Sequence, residues 1–443
     1  MENFNKLYSS EDFVEQVLLE LPSKSLMRFQ CVCNLWCSLI KTPSFVAKHL
    51  SNSMRASSIP ILFKRQVLKD KDNKIKDENE LDIVDNVETL LSSIHLCNEE
   101  YGDFHLTTLV EDLKVPLPAP LKLKHSSDLT IAGHCDGIIC AKLFIGNVIL
   151  GNPAMKEFKL VPKSFLLLPK DDFDLWSLDY ELDCYSEYLG FGYDPKGNDY
   201  KIVRFVMYSE SSYWFGAEVY TMRSNAWRKI ETEYEYDPCR TSHVDWCANM
   251  PIYFNGICYW HANGYHMECS EFILSFDMGN ELFHMILIPD LADGCKVVTL
   301  AKWKEFISLL TYQEQIGVPQ SYEMWVIDNG SWTKYLTIGP VEGDRIPLLF
   351  WNSDKLLMVT DNDGHIVSYN TSTKILKYLP INFMIDVYNS QALVYVDSIV
   401  SINGGNILED IHISAFYGSG KFYCKHGDAV DISAFYGTEK LEL

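Results

Sequence analysis

The chain has 443 residues, 47% hydrophobic and 13% aromatic, enough for a large core and too much for wholesale disorder. A net charge of −22 argues against nucleic acid and anionic membranes as partners; it suits a basic protein partner or simply keeps the chain soluble. The first fifty residues balance five acids against five bases, so the whole imbalance lies beyond them. Thirteen cysteines, scattered and without a Cys-x-x-Cys pair, read as reduced thiols rather than a secreted disulfide scaffold. Residues 1–12 carry no apolar run of the secretory kind, and the longest apolar stretches are far too short to span a bilayer. The expectation is a soluble protein of the cytoplasm, or of the nucleus, with no cofactor.

In chain order, Ser9-Ser10-Glu11-Asp12 offers a serine cap and a Ser-x-x-Asp capping box. A helix follows to about Glu20, with Phe13, Val14, Val17, Leu18 and Leu21 as one apolar stripe, and Pro22 stops it. Ser23 is a candidate cap for a second helix carrying Leu26, Phe29 and Cys33 at helical spacing. A third short helix pairs Leu35 with Leu39 and Trp36 with Ile40. Thr42-Pro43-Ser44 breaks it, and Phe45, Val46 and Leu50 form a further apolar set. Three short helices make too small a core to stand alone, so a partner or the rest of the chain must cover them.

These residues resemble a plant F-box. The matching positions are Asp12-Phe13-Val14-Glu15-Gln16-Val17-Leu18-Leu19-Glu20-Leu21-Pro22, Lys24 to Phe29, Cys31-Val32-Cys33, Trp36 and Leu39-Ile40. The resemblance implies that the helices dock on the Skp-type adaptor of a Skp–cullin–F-box ubiquitin ligase. Leu18, Leu21, Pro22, Leu26, Phe29, Val32, Trp36, Leu39 and Ile40 would face or support that interface. Ser9-Ser10 stands where many F-boxes have Leu-Pro, so one apolar adaptor contact is missing.

Residues 64–88 are dense in mixed charge and read as a solvated linker, and Pro116-Leu117-Pro118-Ala119-Pro120 is a second break. From about residue 130 a unit recurs: a strand ending at a large apolar residue, a polar turn, and a second anchor seven residues on. The pairs are Tyr220 and Trp227, Phe276 and Phe283, Trp325 and Trp332, and Tyr369 and Leu376, with residues 150–158 as a looser first copy. The anchors Phe158, Trp227, Phe283, Trp332 and Leu376 lie 69, 56, 49 and 44 residues apart. A repeat of about 40–50 residues with four short strands is the signature of a propeller blade, and the fold expected is a small all-α F-box of three helices followed by an all-β propeller of six to eight blades.

These segments also resemble the F-box-associated, kelch-like domain of plant F-box proteins. The matches are GHCDGIICA (133–141), LGFGYDPKGNDYKIVR (189–204), EVYTMRSNAWRKIE (218–231), NGICYW (255–260), ILSFDMGNELF (273–283) and EMWVIDNGSWTKYLTIGP (323–340). Together with RFQCVCNLWCSLI and SFVAKHLSNS, the chain is similar to the pollen S-locus F-box proteins of the apple and pear tribe. That resemblance implies a pistil S-ribonuclease as target, in the pollen-tube cytosol, in gametophytic self-incompatibility. The expected division is an F-box at 8–50, a connecting region with first strands at 51–130, the propeller-like domain at 131–403, and an atypical tail at 404–443. In the tail, Ile413-Ser414-Ala415-Phe416-Tyr417-Gly418 recurs verbatim at 432–437, a local duplication or, less favoured, a strand pair closing the propeller.

Catalytic chemistry finds little support. Cys258-x-x-His261-x4-His266-x-x-Cys269 has zinc-type ligands, but a strand to Trp260 and a turn at Asn263-Gly264 would point them to different faces. Asp361-Asn362-Asp363-Gly364 lacks the downstream Glu of a calcium loop and reads as a hairpin turn. There is no nucleophile elbow, phosphate loop, zincin motif or dinucleotide fingerprint, and neither a metal nor a catalytic residue is expected. The candidate target-binding elements are two acidic, aromatic stretches. One contains Asp171, Asp172, Asp174, Trp176, Asp179, Glu181 and Asp183; the other contains Glu231, Glu233, Tyr234 and Glu235. The expected function is positional: the F-box ties the chain to the ligase, and the β domain holds a basic target close to the ubiquitin-loaded enzyme. The alternatives are the same receptor build with an unrelated target, or a free-standing propeller scaffold or enzyme.

Overall fold

The computed structural model describes residues 10–56, 58–68, 87–97, 111–113, 129–143, 146–164, 166, 185–208, 215–230, 244–246, 250–264, 271–291, 295–313, 319–328, 330–343, 345–360, 364–382, 391–402, 422–423 and 429–430. Four helices lead: α1 (Ser10–Leu19), α2 (Ser23–Phe29), α3 (Asn34–Ile40) and α4 (Pro43–Met54). The fourth corrects the expected count of three. Thr42 both ends α3 and starts α4: its hydroxyl accepts the N–H of Phe45 at 3.3 Å, and Pro43 occupies the first turn, where a missing N–H costs nothing. Ser23 is not a cap. It lies inside α2, buried, with Pro22 in the cap position, and its hydroxyl has no hydrogen-bond partner among the described residues.

Six antiparallel sheets then form a ring of blades. Blade I begins with β1 (Ser58–Leu68), β2 (Val87–Cys97) and β3 (Glu111–Leu113). Blade II is β4 (Leu129–Cys135), β5 (Ile138–Leu143), β6 (Val148–Asn152) and β7 (Glu157–Leu160). Blade III is β8 (Tyr185–Asp194), β9 (Asp199–Tyr208), β10 (Phe215–Thr221) and β11 (Ala226–Ile230). Blade IV splits its innermost position between β12 (Val244–Trp246) and β13 (Ile252–Phe254), both paired with β14 (Ile257–Gly264), and continues through β15 (Glu271–Asp277) and β16 (Leu282–Leu287). Blade V is β17 (Cys295–Trp303), β18 (Phe306–Gln313), β19 (Gln320–Asp328) and β20 (Ser331–Val341). Blade VI is β21 (Arg345–Asn352), β22 (Lys355–Thr360), β23 (His365–Asn370) and β24 (Leu376–Asn382).

The ring closes on blade I, whose innermost strand is β25 (Gln391–Val394), paired antiparallel with β1 from Ile61↔Val394 to Lys64↔Gln391. Closure thus uses residues 391–394 and takes in strands from Ser58, ahead of residue 131. The tail's described residues, β26 (Phe422–Tyr423) and β27 (Ala429–Val430), pair only with each other. Both copies of the duplicated hexapeptide lie outside the described residues.

Propeller strands need apolar residues on both faces, because each blade is covered on two sides. The core accordingly divides into one cluster per blade interface. Ile61 and Phe63 pack toward blade VI with Leu357 and Val359, whereas Leu62 packs toward blade II with Ile131 and Ile139. Ile202 and Tyr220 join blade II, whereas Val203, Phe205 and Val219 join blade IV. Indole N–H groups add hydrogen bonds across the gaps: Trp227 to Pro162 O at 2.7 Å, Trp260 to Leu189 O at 3.0 Å, Trp303 to Ser353 O at 2.8 Å and Trp332 to Leu287 O at 2.7 Å.

The seven-residue anchors prove to be the third and fourth strands of each blade. Tyr220 faces Trp227, Phe276 faces Phe283, and Tyr369 faces Leu376 across the ladder. Trp325 and Trp332 do not face one another. The hairpin there closes on Asp328↔Ser331, with two intervening residues where Thr221↔Ala226 and Asp277↔Leu282 have four, so Trp325 opposes Lys334 and Trp332 opposes Ile327. Asn263-Gly264, expected as the turn after the strand of Trp260, lies within β14, where Asn263 pairs with Glu271 and Gly264 with Val244. Asn255-Gly256, expected in the strand, is the turn that enters it, with φ of 48° and 83°.

Blades III and IV are also joined by a buried charge cluster. The Lys201 ammonium lies 2.6 Å from both Asp194 and Glu281 and donates to Met278 O at 2.8 Å. Burial alone would raise the Asp194 carboxyl, but Lys201 and the N–H groups of Gly197 and Lys196 outweigh it and hold it below its ordinary value of 3.8. A depressed carboxyl stabilises the fold above its unfolded value and loses that stabilisation as pH falls through its folded value. In urea unfolding from neutral pH down to about pH 3, the stability gap between the parent and Asp194→Asn is expected to narrow on acidification. A gap that stays constant would contradict this role for Asp194.

Candidate functional site

The helical unit has a core and a separate apolar surface. Leu18, Leu26, Ile40 and Phe45 are buried together with Ile399 from the propeller side, and Val14, Leu21, Phe29, Trp36, Leu39, Val46 and Met155 are half-buried around them. The Phe29 and Trp36 rings meet at 5.5 Å. His49 stacks on Phe45 and donates its Nε2 hydrogen to Leu21 O at 3.0 Å, fixing α4 to the turn between α1 and α2. Lys48 pairs with Glu15 at 2.8 Å on the surface of the α1–α4 pair.

Of the nine residues expected at the adaptor interface, Leu18, Leu26 and Ile40 are 2% exposed or less, so they support the surface and are out of reach of a docking partner. Pro22 and Val32 are exposed, and Leu21, Phe29, Trp36 and Leu39 are half-buried. The large apolar side chains left in solvent are Phe13 (64%), Val17 (47%), Val32 (59%) and Leu35 (57%) on α1 to α3, with Met54 (56%) at the far end of α4. Sequence reading placed Phe13 and Val17 in one stripe with Val14 and Leu18. The structure divides that stripe, turning Val14 and Leu18 inward and Phe13 and Val17 outward. Phe13 and Val17 stand one turn apart on α1, and Val32 and Leu35 flank the start of α3, a density of exposed apolar side chains unusual for a unit this small.

All eleven candidate target-binding residues, Asp171, Asp172, Asp174, Trp176, Asp179, Glu181, Asp183, Glu231, Glu233, Tyr234 and Glu235, lie outside the described residues. The strands that flank them are described. Residues 167–184 connect blade II to blade III, and residues 231–243 connect blade III to blade IV. In an up-and-down propeller, blade-to-blade connections attach at one face of the ring, and the turns after each first and third strand lie on the other. The helical unit enters β1 on that second face, where β25 ends. The described strand ends that these two stretches join, β7 to β8 and β11 to β12, therefore lie on the face away from the docking helices.

Ahead of the first connection stands a buried ionic network that the sequence reading missed. Arg204, 1% exposed, pairs with Glu187 at 2.8 Å and Glu218 at 3.3 Å, and its guanidinium lies 4.4 Å over the Trp227 ring. Lys142 is a second cation on Glu187, at 3.1 Å. Ser164, in the chain leaving β7, donates to Glu218, and Trp227 donates to Pro162 O nearby, so the network fastens the root of this connection. The one available signal was an arginine within the apolar run Ile202 to Met207 of β9; its two glutamates lie on the neighbouring strands β8 and β10.

A cavity of about 1420 Å³ runs along the ring axis, lined among the described residues by blades I, II, IV, V and VI. His134, Asp136, Lys302, Lys304, Glu305, Glu323 and Arg345 give it mixed charge, with no concentration of one sign. Burial, and secondarily the Lys302 charge, push the His134 imidazole down to about 4, which keeps it neutral. Among the described residues no cluster of His, Cys, Asp or Glu could hold a metal ion. Cys258 and His261 sit an odd number of positions apart on β14 and point to opposite faces, while His266 and Cys269 lie outside the described residues. Residues 361–363 of the acidic loop are outside them too, but β22 and β23 pair on either side as a hairpin requires. No described helix is long and apolar enough to cross a membrane.

Residues 10–48 match the family model for the F-box domain, and residues 91–402 match that for the F-box associated beta propeller domain. An F-box/kelch-repeat protein of Arabidopsis thaliana is 26% identical over 406 residues, covering 88% of this chain and 95% of the relative. A putative F-box/kelch-repeat protein of the same plant is 24% identical, covering 77% of this chain and 79% of the relative. Among solved structures, a chain of a nidogen/laminin complex aligns at a TM-score of 0.37 and 11% identity, over 75% of this chain and 98% of that one.

Proposed function

The chain belongs to the plant F-box proteins that carry an F-box-associated β-propeller domain, and from that premise we propose that it is the substrate-recognition subunit of a Skp–cullin–F-box ubiquitin ligase. Proteins of this build are typically non-catalytic adaptors. The observation that carries the reading is the apolar surface of Phe13, Val17, Val32 and Leu35 on a helical unit whose own core is already filled. A Skp-type adaptor is the partner expected to cover it. The missing Leu-Pro before Glu11 removes one contact and leaves this face intact. The test is co-purification of the full chain with the adaptor, beside the double variant Val32→Asp, Leu35→Asp. The variant is expected to lose adaptor binding with its melting profile unchanged, because both side chains already stand in water. Retained binding would remove these residues from the interface.

For the target we propose a basic protein, of the kind represented by a pistil S-ribonuclease, met in the cytosol of the pollen tube. What supports this is the net charge of −22, carried wholly beyond residue 50, together with the similarity to pollen S-locus F-box proteins. Complementary charge chiefly accelerates encounter and rejects wrong partners, so the acidic connections suit recognition more than tight binding. Reversing Asp171, Asp172 and Asp174 to lysine is expected to weaken capture of a basic ribonuclease, most at low salt. Pull-downs with ribonucleases of several alleles decide the target class; uniform failure to bind would replace it with another protein.

A further inference from the structure

We infer that residues 395–402 form a strap that seats the helical unit on blade II, so that docking helices and propeller move as one body, with Ile399 as the positioning residue. The segment leaves β25, and thus the closure of the ring, directly. Tyr395 N extends the pairing with β1 by donating to Pro60 O at 2.8 Å. From there the side chains alternate. Ile399, 4% exposed, enters the helical core beside Leu18, Leu26, Ile40 and Phe45. Val400 and Ile402 turn the other way, into the cluster between blades II and III.

Polar contacts fix the strap to blade II along its length. Asn152, fully buried, donates its amide to Ser398 O at 3.1 Å and Val400 O at 2.8 Å. Ser398 Oγ donates to Asp136 O, and Glu157 accepts from Ile402 N at 2.8 Å and from Ser401 Oγ. Gly137 shows how closely the strap passes. A Cβ there would lie 2.7 Å from Val396 O and closer still to Ser398 Oγ, at a φ of +84°. Met155, in the blade II turn between β6 and β7, is the second propeller residue in the helical cluster.

The covalent link, by contrast, is three residues between Met54 and Ser58. Such a link alone sets no orientation, and the seat made by Ile399 and Met155 does. The seat stands independently of the ligase reading. Its consequence rests on that reading: the adaptor and the face carrying the acidic connections would keep a fixed separation during ubiquitin transfer.

The test is a distance measurement in the full-length protein, with non-thiol spin labels encoded at the exposed positions Asn52 in α4 and Ser372 in blade VI. The parent should give one narrow distance distribution. Ile399→Asp should lose it, with the propeller melt and near-ultraviolet circular dichroism unchanged, and Ile399→Leu should restore it. Gly137→Ala, which disturbs the strap without touching the helices, should broaden it as well. Should Ile399→Asp fail to fold, Ile399→Ala decides by the same criterion. A broad distribution in the parent, or a narrow one in the Ile399 variants, overturns the inference. Adaptor pull-down on the same samples separates the two readings: loss of adaptor binding by the parent would sink the ligase proposal and leave the strap standing.

Discussion

Replacing Arg204 by methionine is expected to destabilise the propeller by about 3–5 kcal/mol, the range for removing one partner of a buried ion pair. Glu187 and Glu218 would remain almost wholly out of water without the guanidinium that bridges them, with Lys142 still on Glu187 at 3.1 Å. Methionine fills much of the volume over the Trp227 ring, so the loss reports the charge rather than a cavity. Urea unfolding should show a lower midpoint with an unchanged slope. Adding Glu187→Gln and Glu218→Gln to Arg204→Met should recover most of the loss, since amides tolerate burial without a counter-charge. A midpoint unmoved by the single change would show that the network carries no net stability. The network also fastens Ser164 and Pro162, so the acidic connection that follows them should lose its fixed root, and target capture should fall with stability.

Phe45→Ala is the second large effect, expected at about 3–5 kcal/mol for a fully buried aromatic ring. Phe45 sits where α1, α2 and α3 converge on α4, and its ring also carries the stacked His49 that ties α4 to Leu21 O. The six blade interfaces do not use it. Hydrogen exchange should therefore show α1 to α4 losing protection while the propeller strands keep theirs. Adaptor binding should fall with the helical unit, in contrast to Val32→Asp, Leu35→Asp, where binding falls and protection stays. If the strands lost protection together with the helices, the two parts would be a single cooperative unit.

Where local chemistry and function coincide, the chain order of residues was a sufficient guide. Helices broken by Pro22 and Thr42-Pro43 were legible because caps and breakers act within a few residues. The seven-residue anchor pairs were legible because the third and fourth strands of each blade form a hairpin, whose register a short turn sets. Trp325 and Trp332 mark the limit: the same seven-residue spacing there spans a shorter turn, between Asp328 and Ser331, and the two rings no longer face one another. The helical unit marks another. Periodicity put Phe13, Val14, Val17 and Leu18 in one stripe, but only the packing of α4 and Ile399 decided which of them are core and which are surface.

By itself, then, the sequence determined a short helical head, a blade repeat, an acidic body and no recognisable catalytic motif, all properties carried by residues near one another in the chain. Only the tertiary structure decided the number of blades, the closing strand at 391–394, the partners of Arg204 and the seat of the helices on residues 395–402. Each of these joins residues far apart along the chain, and such contacts are chosen by which surfaces exclude water together in the folded ring.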